Sequence, residues 1–443
     1  MQTLLLILIV AAMIMLRQSI PLVLLVAAAY VHMAWGDGNL TYLVEDIWYA
    51  VDNDLLLAIP MFLLAGSTMT RGSIAQRLID VIRVATQWLP GGLGVATILS
   101  CAVFAAISGS SPVTMLAIGS ILYPALLREG YDKRFALGAV ASAGTLGIII
   151  PPSIPMILFG IVNERSIVDL FIAGMIPGLL LTAVLAGYSL YRNRHLPAKS
   201  VSGKEMFAAL KSGIWAMLLP VILLGGIYSG YFSPTESAAV ALGYAVLVEL
   251  VVHREMKLRD FYQVGVDTAK MLGTLVPIVA VSLSLQKLLT VNGAQQALAE
   301  WVLTMVDSKI AFLLAVNVLL LIVGCFVDVV SATLVLSPLL LAPAIHYGID
   351  PIHFGIIMVI NLEIGFWPAG EPEPDRRDEA HSRKNFLLIC RSVVPFVLLM
   401  VAVLMVITFV PWLSLVLIRW RRRPASMKVG YKSLTTLPLL DQA

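Results

Sequence analysis

Between residues 93 and 163 the chain is apolar in pieces rather than in one run. Apolar segments fall near 93–107, 112–127, 135–150 and 154–163, and Gly, Ser and Pro break the chain between them. A helix needs about 20 apolar residues to cross the hydrocarbon of a bilayer, and several of these pieces are shorter. Broken backbone survives at membrane depth only where it is buried in protein or lines a cavity. The pattern therefore predicts re-entrant hairpins or unwound helices around an internal cavity, in an all-α polytopic membrane protein.

Composition agrees. The 443 residues are 59% hydrophobic and 13% charged, with a mean hydropathy of +0.91. Soluble domains are about 45–50% apolar and about 25% charged. A soluble enzyme of this size would lack the polar surface it needs, and disorder is excluded by the same numbers. The length allows about ten to twelve crossings. A net charge of +3 gives no reason to expect nucleic acid. Cys101, Cys325 and Cys390 show no metal spacing and no disulfide framework.

The chain divides by charge. Residues 1–92 carry scaffold helices: an apolar stretch at 1–35, an acidic loop or surface helix at 36–54, an apolar segment at 55–70 and an interfacial helix at 71–92. As one helix, residues 1–35 would run about 51 Å, so they form a tilted or broken span, or two short ones. The start has no basic region or cleavage site and reads as a retained helix. Residues 93–190 form a first repeat, ending in a long span at 167–190. Residues 191–306 open with a basic linker at 191–206, placed in the cytoplasm by the positive-inside rule. Spans follow near 213–229 and 235–252, then a basic amphipathic piece at 253–270 and a span at 271–290. Residues 307–386 form a second repeat, 387–418 a C-terminal span, and 419–443 a basic tail, also expected in the cytoplasm and able to meet anionic membrane lipid.

The two repeats share a grammar. Pro124-Ala125, Gly130-Tyr131-Asp132, Phe135 and Gly138 are echoed by Pro343-Ala344, Gly348-Ile349-Asp350, Phe354 and Gly355. Gly138 and Pro151 are 13 residues apart, as are Gly355 and Pro368. Paired interrupted segments in two halves point to a transporter binding site.

Four segments carry candidate chemistry. Ser108-Gly109-Ser110-Ser111-Pro112-Val113-Thr114 offers hydroxyl and carbonyl oxygens for a hard cation, and a helix N-terminus for an anion; a plain capped turn is the other reading. In Thr145–Pro155, the prolines at 151, 152 and 155 break a helix and free carbonyls; a kinked span without ligand is the alternative. Asp328 is an acid in an apolar stretch, a functional candidate or a cap on a short helix. Glu363, in Asn361-Leu362-Glu363-Ile364-Gly365, either binds a cation or proton or pairs structurally with a base. No P-loop, no His-Glu-x-x-His and no catalytic constellation occurs, so an enzyme is not expected and no cofactor is called for. Energy then comes from an ion gradient or from another chain.

Together, Ser-Gly-Ser-Ser-Pro-Val-Thr at 108–114, Gly-Ile-Ile-Ile-Pro-Pro-Ser at 147–153, Phe-Ser-Pro-Thr-Glu-Ser-Ala-Ala at 232–239, Gly-Ile-Asp-Pro-Ile-His-Phe-Gly at 348–355 and Asn-Leu-Glu-Ile-Gly at 361–365 resemble the large membrane (M) subunit of tripartite ATP-independent periplasmic (TRAP) transporters. The resemblance runs to about residue 418. It implies an elevator-type transporter with two inverted repeats, each with a re-entrant helical hairpin and a broken helix. It implies Na⁺-coupled uptake of organic acids across the bacterial inner membrane: C4-dicarboxylates, sialic acid or related carboxylates. The expected partners are a small membrane subunit, as a separate chain, and a periplasmic substrate-binding protein. The Na⁺ sites carried over fall at Ser110, Ser111, Thr145 and Gly147 in one half, and at Asp328, Ser331, Asn361 and Glu363 in the other. The substrate cavity falls at Ser108, Gly109, Pro151, Pro152 and Ser153. A single-component anion permease is the alternative within transport.

Residues 367–386 depart from the family. Five acids (Glu371, Glu373, Asp375, Asp378, Glu379) and four bases (Arg376, Arg377, Arg383, Lys384) stand where an apolar break belongs. One such charge costs about 2.5–3.5 kcal/mol at a helix centre, so nine do not enter hydrocarbon. The run is a solvated loop, or it records a pair of compensating frameshifts that leaves a non-functional or merely scaffolding product. GC-rich codons for Pro368–Asp378, read one base later, spell Pro-Pro-Ala-Asn-Leu-Asn-Leu-Ile-Val-Ala-Met, an echo of Pro151-Pro152-Ser153. Resequencing codons 360–392 from the source is expected to show one base shift at each end; an unshifted charged reading would overturn the frameshift account.

Overall fold

A computed structural model describes residues 2–366 and 379–421, apart from Arg17 and Asp37. The described residues form helices and turns without strands. The first group is α1 (Gln2–Met15), α2 (Ile20–Trp35), α3 (Thr41–Val51), α4 (Ala58–Arg71) and α5 (Ile74–Thr86). The first repeat holds α6 (Gly92–Ser108), α7 (Ser111–Arg128), α8 (Lys133–Gly144), α9 (Leu146–Ile149), α10 (Ile154–Val162) and α11 (Ile167–Arg192). The middle holds α12 (Gly203–Ser229), α13 (Pro234–Leu247), α14 (Leu258–Val291) and α15 (Ala294–Met305). The second repeat holds α16 (Lys309–Gly324), α17 (Val329–His346) and α18 (Pro351–Phe366), followed by α19 (Glu379–Phe409) and α20 (Trp412–Arg421).

Among the described residues, eight helices are long and apolar enough to cross a membrane, or up to ten if each bent pair is one span. The chain length allows about ten to twelve crossings, because it is divided without regard to segments that do not span. The stretch 1–35 resolves into two helices, with Pro21 in the first turn of the second. The amphipathic piece and the span expected at 253–290 are one 34-residue helix, α14, since no breaker other than Pro277 interrupts it. The motif at 232–239 has a local cause. Ser233 and Glu236 form a capping box at the start of α13, with Pro234 in its first turn. Phe232 lies flat on Gly226, where a Cβ would come within 2.2 Å of the ring.

The N-terminus of α5 is closed from outside its own segment. The buried Glu249 carboxylate accepts from the Ile74 amide at 2.7 Å and from the Ser73 hydroxyl at 3.3 Å. The preceding Gly72 has no room for a side chain, because a Cβ would sit 2.1 Å from the Glu249 carboxyl carbon. Arg77 donates to Glu255 at 2.6 Å and holds that carboxyl below its usual range. On another edge, Asp46 of α3 accepts from Lys287 of α14 at 2.5 Å. Ser284 of α14 meets His32 of α2 at 2.9 Å, tying three helices together.

The two hairpins enter from opposite ends. Gly92 and Arg128, the outer ends of α6 and α7, line one pocket with Leu196 and Lys199 of the linker. The first hairpin therefore opens on the linker side. The outer ends of α16 and α17 also meet, where Lys309 donates to the Gly348 carbonyl at 3.2 Å and Phe312 stacks on Tyr347. Beside them, the start of α18 packs on the far end of the bundle. Gly355 lies against Phe159 and Leu170, and His353 bonds Ser414 of α20.

That far end also receives Arg421, 3.9 Å from Asp169 near the start of α11 and 3.7 Å from the Cβ position of Gly230, just past the end of α12. Residue 421 and the 191–206 linker thus sit at opposite ends of α11 and α12. The expectation that places both in the cytoplasm is corrected as far as Arg421. A single helix, α19, crosses once, and Pro411 then turns the chain into α20 beside α11. Residues 422–443 of the tail lie outside the described residues.

Gly138 and Gly355, paired in the repeat, do the same job, letting a helix cross a neighbour. A Cβ on Gly138 would come within 2.3 Å of the Ser392 carbonyl oxygen, and one on Gly355 within 2.8 Å of the Phe159 ring. Gly138→Ala is expected to lower stability by about 1–3 kcal/mol, and Gly355→Ala by less, since a ring yields more readily than a main chain. Thermal unfolding of the two purified variants checks the order; equal losses would contradict it.

Candidate functional site

The hairpin tips are built by local chemistry. Gly109 ends α6 in the left-handed region at φ 60°, where glycine is at ease. Ser110 is then extended, and α7 starts at Ser111 with Pro112 in its first turn. Ser108 and Thr114 close the tip through a 2.7 Å hydroxyl–hydroxyl bond. The Gly109 carbonyl accepts from the Ile154 amide at 3.3 Å, so the tip is anchored to the break in the first broken helix. At the second tip Asp328 is the N-cap of α17, accepting from the Ser331 amide at 3.0 Å.

Each tip presses on a broken helix at a glycine. A Cβ on Gly147 would lie 2.7 Å from the Ser110 carbonyl oxygen. Gly324 and Gly365 face each other so closely that a Cβ on Gly365 would lie 2.6 Å from the Leu321 carbonyl oxygen. A polar contact then crosses between the halves. The Ser111 hydroxyl donates to the buried Glu363 carboxyl at 2.6 Å and also approaches the Thr145 carbonyl at 3.4 Å.

The tips meet at a cavity of about 380 Å³. Gly109, Ser110 and Ser111 line it from the first hairpin, Asp328 from the second, and Glu363 from α18. Its opposite wall is α14, through Met271, Thr274, Leu275 and Ile278. Among the described residues, no lysine or arginine lines it. Two helix N-termini, those of α7 and α17, bring positive dipole ends to it, while two carboxyl groups bring the opposite sign.

Of the expected Na⁺ ligands, Ser110, Ser111, Asp328 and Glu363 line this cavity. Thr145 and Gly147 lie directly behind the first tip; the Thr145 hydroxyl is spent on the Ser142 carbonyl at 2.7 Å. Ser331 is buried, and its hydroxyl has no hydrogen-bond partner among the described residues. Asn361 faces away, toward α16. Its amide donates to Asn317 at 2.7 Å, and its oxygen is buried without a partner among the described residues. Of the expected substrate residues, Gly109 lines the cavity. Ser108 is turned to Thr114, Ser153 caps α10 by accepting from Met156, and Pro151 packs on Gly174 of α11. Pro152 presents its carbonyl oxygen to the tip, 3.1 Å from where a Cβ on Gly109 would be. The charged segment falls largely outside the described residues, at 367–378, and with it the frameshift reading.

Sequence reasoning passed over Asn317 and Thr408, which share the Asn361 cluster at 2.7 and 3.3 Å. Asn317 had a signal, as the lone amide in an apolar helix. Thr274 had none, because nothing local tells which face of α14 meets the cavity.

The Ser111–Glu363 contact predicts strong coupling. In a double-mutant cycle, Ser111→Ala and Glu363→Gln are expected to be non-additive by about 0.5–3 kcal/mol in unfolding free energy. Additive losses would mean that the contact holds nothing together.

Residues 5–413 match the family model for the DctM component of tripartite ATP-independent periplasmic transporters. A C4-dicarboxylate TRAP transporter large permease protein of Pseudomonas aeruginosa is 42% identical over 368 residues, which cover 82% of this chain and 86% of the relative. An ectoine TRAP transporter large permease protein of Halomonas elongata is 37% identical, covering 78% and 82%. A 2,3-diketo-L-gulonate TRAP transporter large permease protein of Escherichia coli is 33% identical, covering 88% and 92%. Among solved structures, the YdaH transporter of Alcanivorax borkumensis shares the fold with a TM-score of 0.56 at 12% identity, over 85% of this chain and 90% of that one. With the family model spanning nearly the whole membrane-embedded sequence, the chain belongs to the DctM family of TRAP transporter large permeases.

Proposed function

We propose that this chain is the permease subunit of a Na⁺-coupled, binding-protein-dependent uptake system for organic acids in the bacterial inner membrane. One observation carries the reading: two hairpin tips, from opposite ends of the bundle, close on one cavity that holds Asp328 and Glu363 but, among the described residues, no cationic side chain. Helix N-termini suit the carboxylate of a substrate, and oxygen-only ligands suit a hard cation. The Ser331 hydroxyl, without a partner among the described residues, is a further oxygen of that kind. The relatives' substrates, C4-dicarboxylate, ectoine and 2,3-diketo-L-gulonate, set the range of candidates.

In this scheme Na⁺ orders the tips, and the loaded unit slides past a fixed scaffold. The moving unit is residues 93–190 and 307–386; the scaffold is residues 1–92 and 191–306. Thr274 and its neighbours on α14 then form the fixed wall that the cavity leaves behind. A small membrane subunit and a periplasmic binding protein complete the system. With the linker in the cytoplasm, Arg421 faces the periplasm.

Uptake of a C4-dicarboxylate into proteoliposomes tests this, with and without Na⁺ and with and without the binding protein. Uptake is expected to need both. Persistence without Na⁺ sinks the coupling, and persistence without the binding protein makes the chain a single-component permease. Asp328→Asn separates cap from ligand, because Asn caps a helix as well as Asp does. It is expected to fold normally while apparent Na⁺ affinity falls about tenfold. Unchanged affinity would leave Asp328 as a cap alone.

A further inference from the structure

A second pocket lies at the linker end of the bundle, well away from the cavity between the tips. Its volume is about 370 Å³. Arg83 and Gln87 at the end of α5 line it, with Gly92 at the start of α6 and Arg128 at the end of α7. Lys199 and Leu196 of the linker complete the rim. Its one acid, Glu129, is already neutralised by Lys199 at 2.6 Å. Arg83 and Arg128 have no ion-pair or hydrogen-bond partner for their guanidinium groups among the described residues. Two uncompensated guanidinium groups thus share one concave site with the positive end of α6. Such an arrangement calls for an anion, and guanidinium forks match a phosphate better than a point charge does.

The setting says where the phosphate comes from. Helix α5 is strongly amphipathic, burying Ile74, Leu78, Ile79 and Val81 against the bundle. Just past its end the Trp88 ring is exposed, with its N–H turned to the Ala85 carbonyl at 2.9 Å. An exposed tryptophan beside an amphipathic helix marks the level of lipid headgroups. Basic pockets between membrane helices on the cytoplasmic side are suited to anionic headgroups.

We propose that this pocket binds the phosphodiester headgroup of an anionic phospholipid, held by Arg83 and Arg128. The headgroup bridges α5 and the linker to both outer ends of the first hairpin. The linker is already laid there by the Lys199 amide, which donates to the Gln87 carbonyl at 2.9 Å.

The full chain, purified in detergent, is titrated with phosphatidylglycerol or phosphatidylcholine, and retained lipid is counted by native mass spectrometry. Phosphatidylglycerol is expected to bind selectively. A basic residue near the headgroup is worth about fivefold in affinity, so Arg83→Ala/Arg128→Ala is expected to weaken retention roughly 30-fold. Arg71→Ala/Arg259→Ala, which removes the same charge elsewhere on the surface, is expected to leave it unchanged. If the double variant does not fold, Arg83→Gln alone is expected to cost about fivefold. Equal binding of the two lipids, or undiminished retention in the pocket variants, overturns the proposal. Displacement of the lipid by inorganic phosphate at millimolar concentration also overturns it, in favour of a free phosphate compound.

Discussion

Backbone that leaves a helix inside a bilayer must find its hydrogen bonds within the protein, and this constraint organises the molecule. Each break is answered by a neighbouring break or by a cap in its own turn. The tip carbonyl of Gly109 takes the Ile154 amide, so two breaks in the first repeat satisfy each other. Asp328 caps the helix that follows the second tip, and Ser153 caps α10. Because these partners are other breaks, the breaks cluster, and a cluster of breaks encloses a cavity. The site is a consequence of satisfying the backbone.

Close approach is the second condition, and glycine meets it. Gly147 admits the first tip to the broken helix, and the facing pair Gly324 and Gly365 admits the second. Ser111 and Glu363 then join the halves by a bond that needs both approaches at once. The pairing of repeats is therefore physical as well as textual. Gly138 and Gly355, equivalent in sequence, are also equivalent in use, each at a helix crossing.

Charge has been sorted by position. Among the described residues, the cavity holds acids without bases, whereas the linker end holds bases with their acid already neutralised. The buried Glu249 answers a different need, closing the N-terminus of α5 where no residue of its own segment does so.

Much of this was legible in the residues. The apolar runs, their interruptions and the repeated Gly-x-Asp turns set the helical class and the positions of the breaks, because each depends on local chemistry: period, φ and a missing N–H. The capping box at Ser233–Glu236 could be read directly for the same reason. What the chain alone left open was which side chain faces which. Asn361 turns to Asn317 while Glu363, two positions on, turns to Ser111; a helix carries neighbouring residues about 100° apart, and only packing against α7 and α16 decides their partners. The side of Arg421 and the α14 wall of the cavity were also tertiary decisions, set by contacts between segments far apart in sequence. Local rules fixed the breaks, and the folded bundle decided what each break faces.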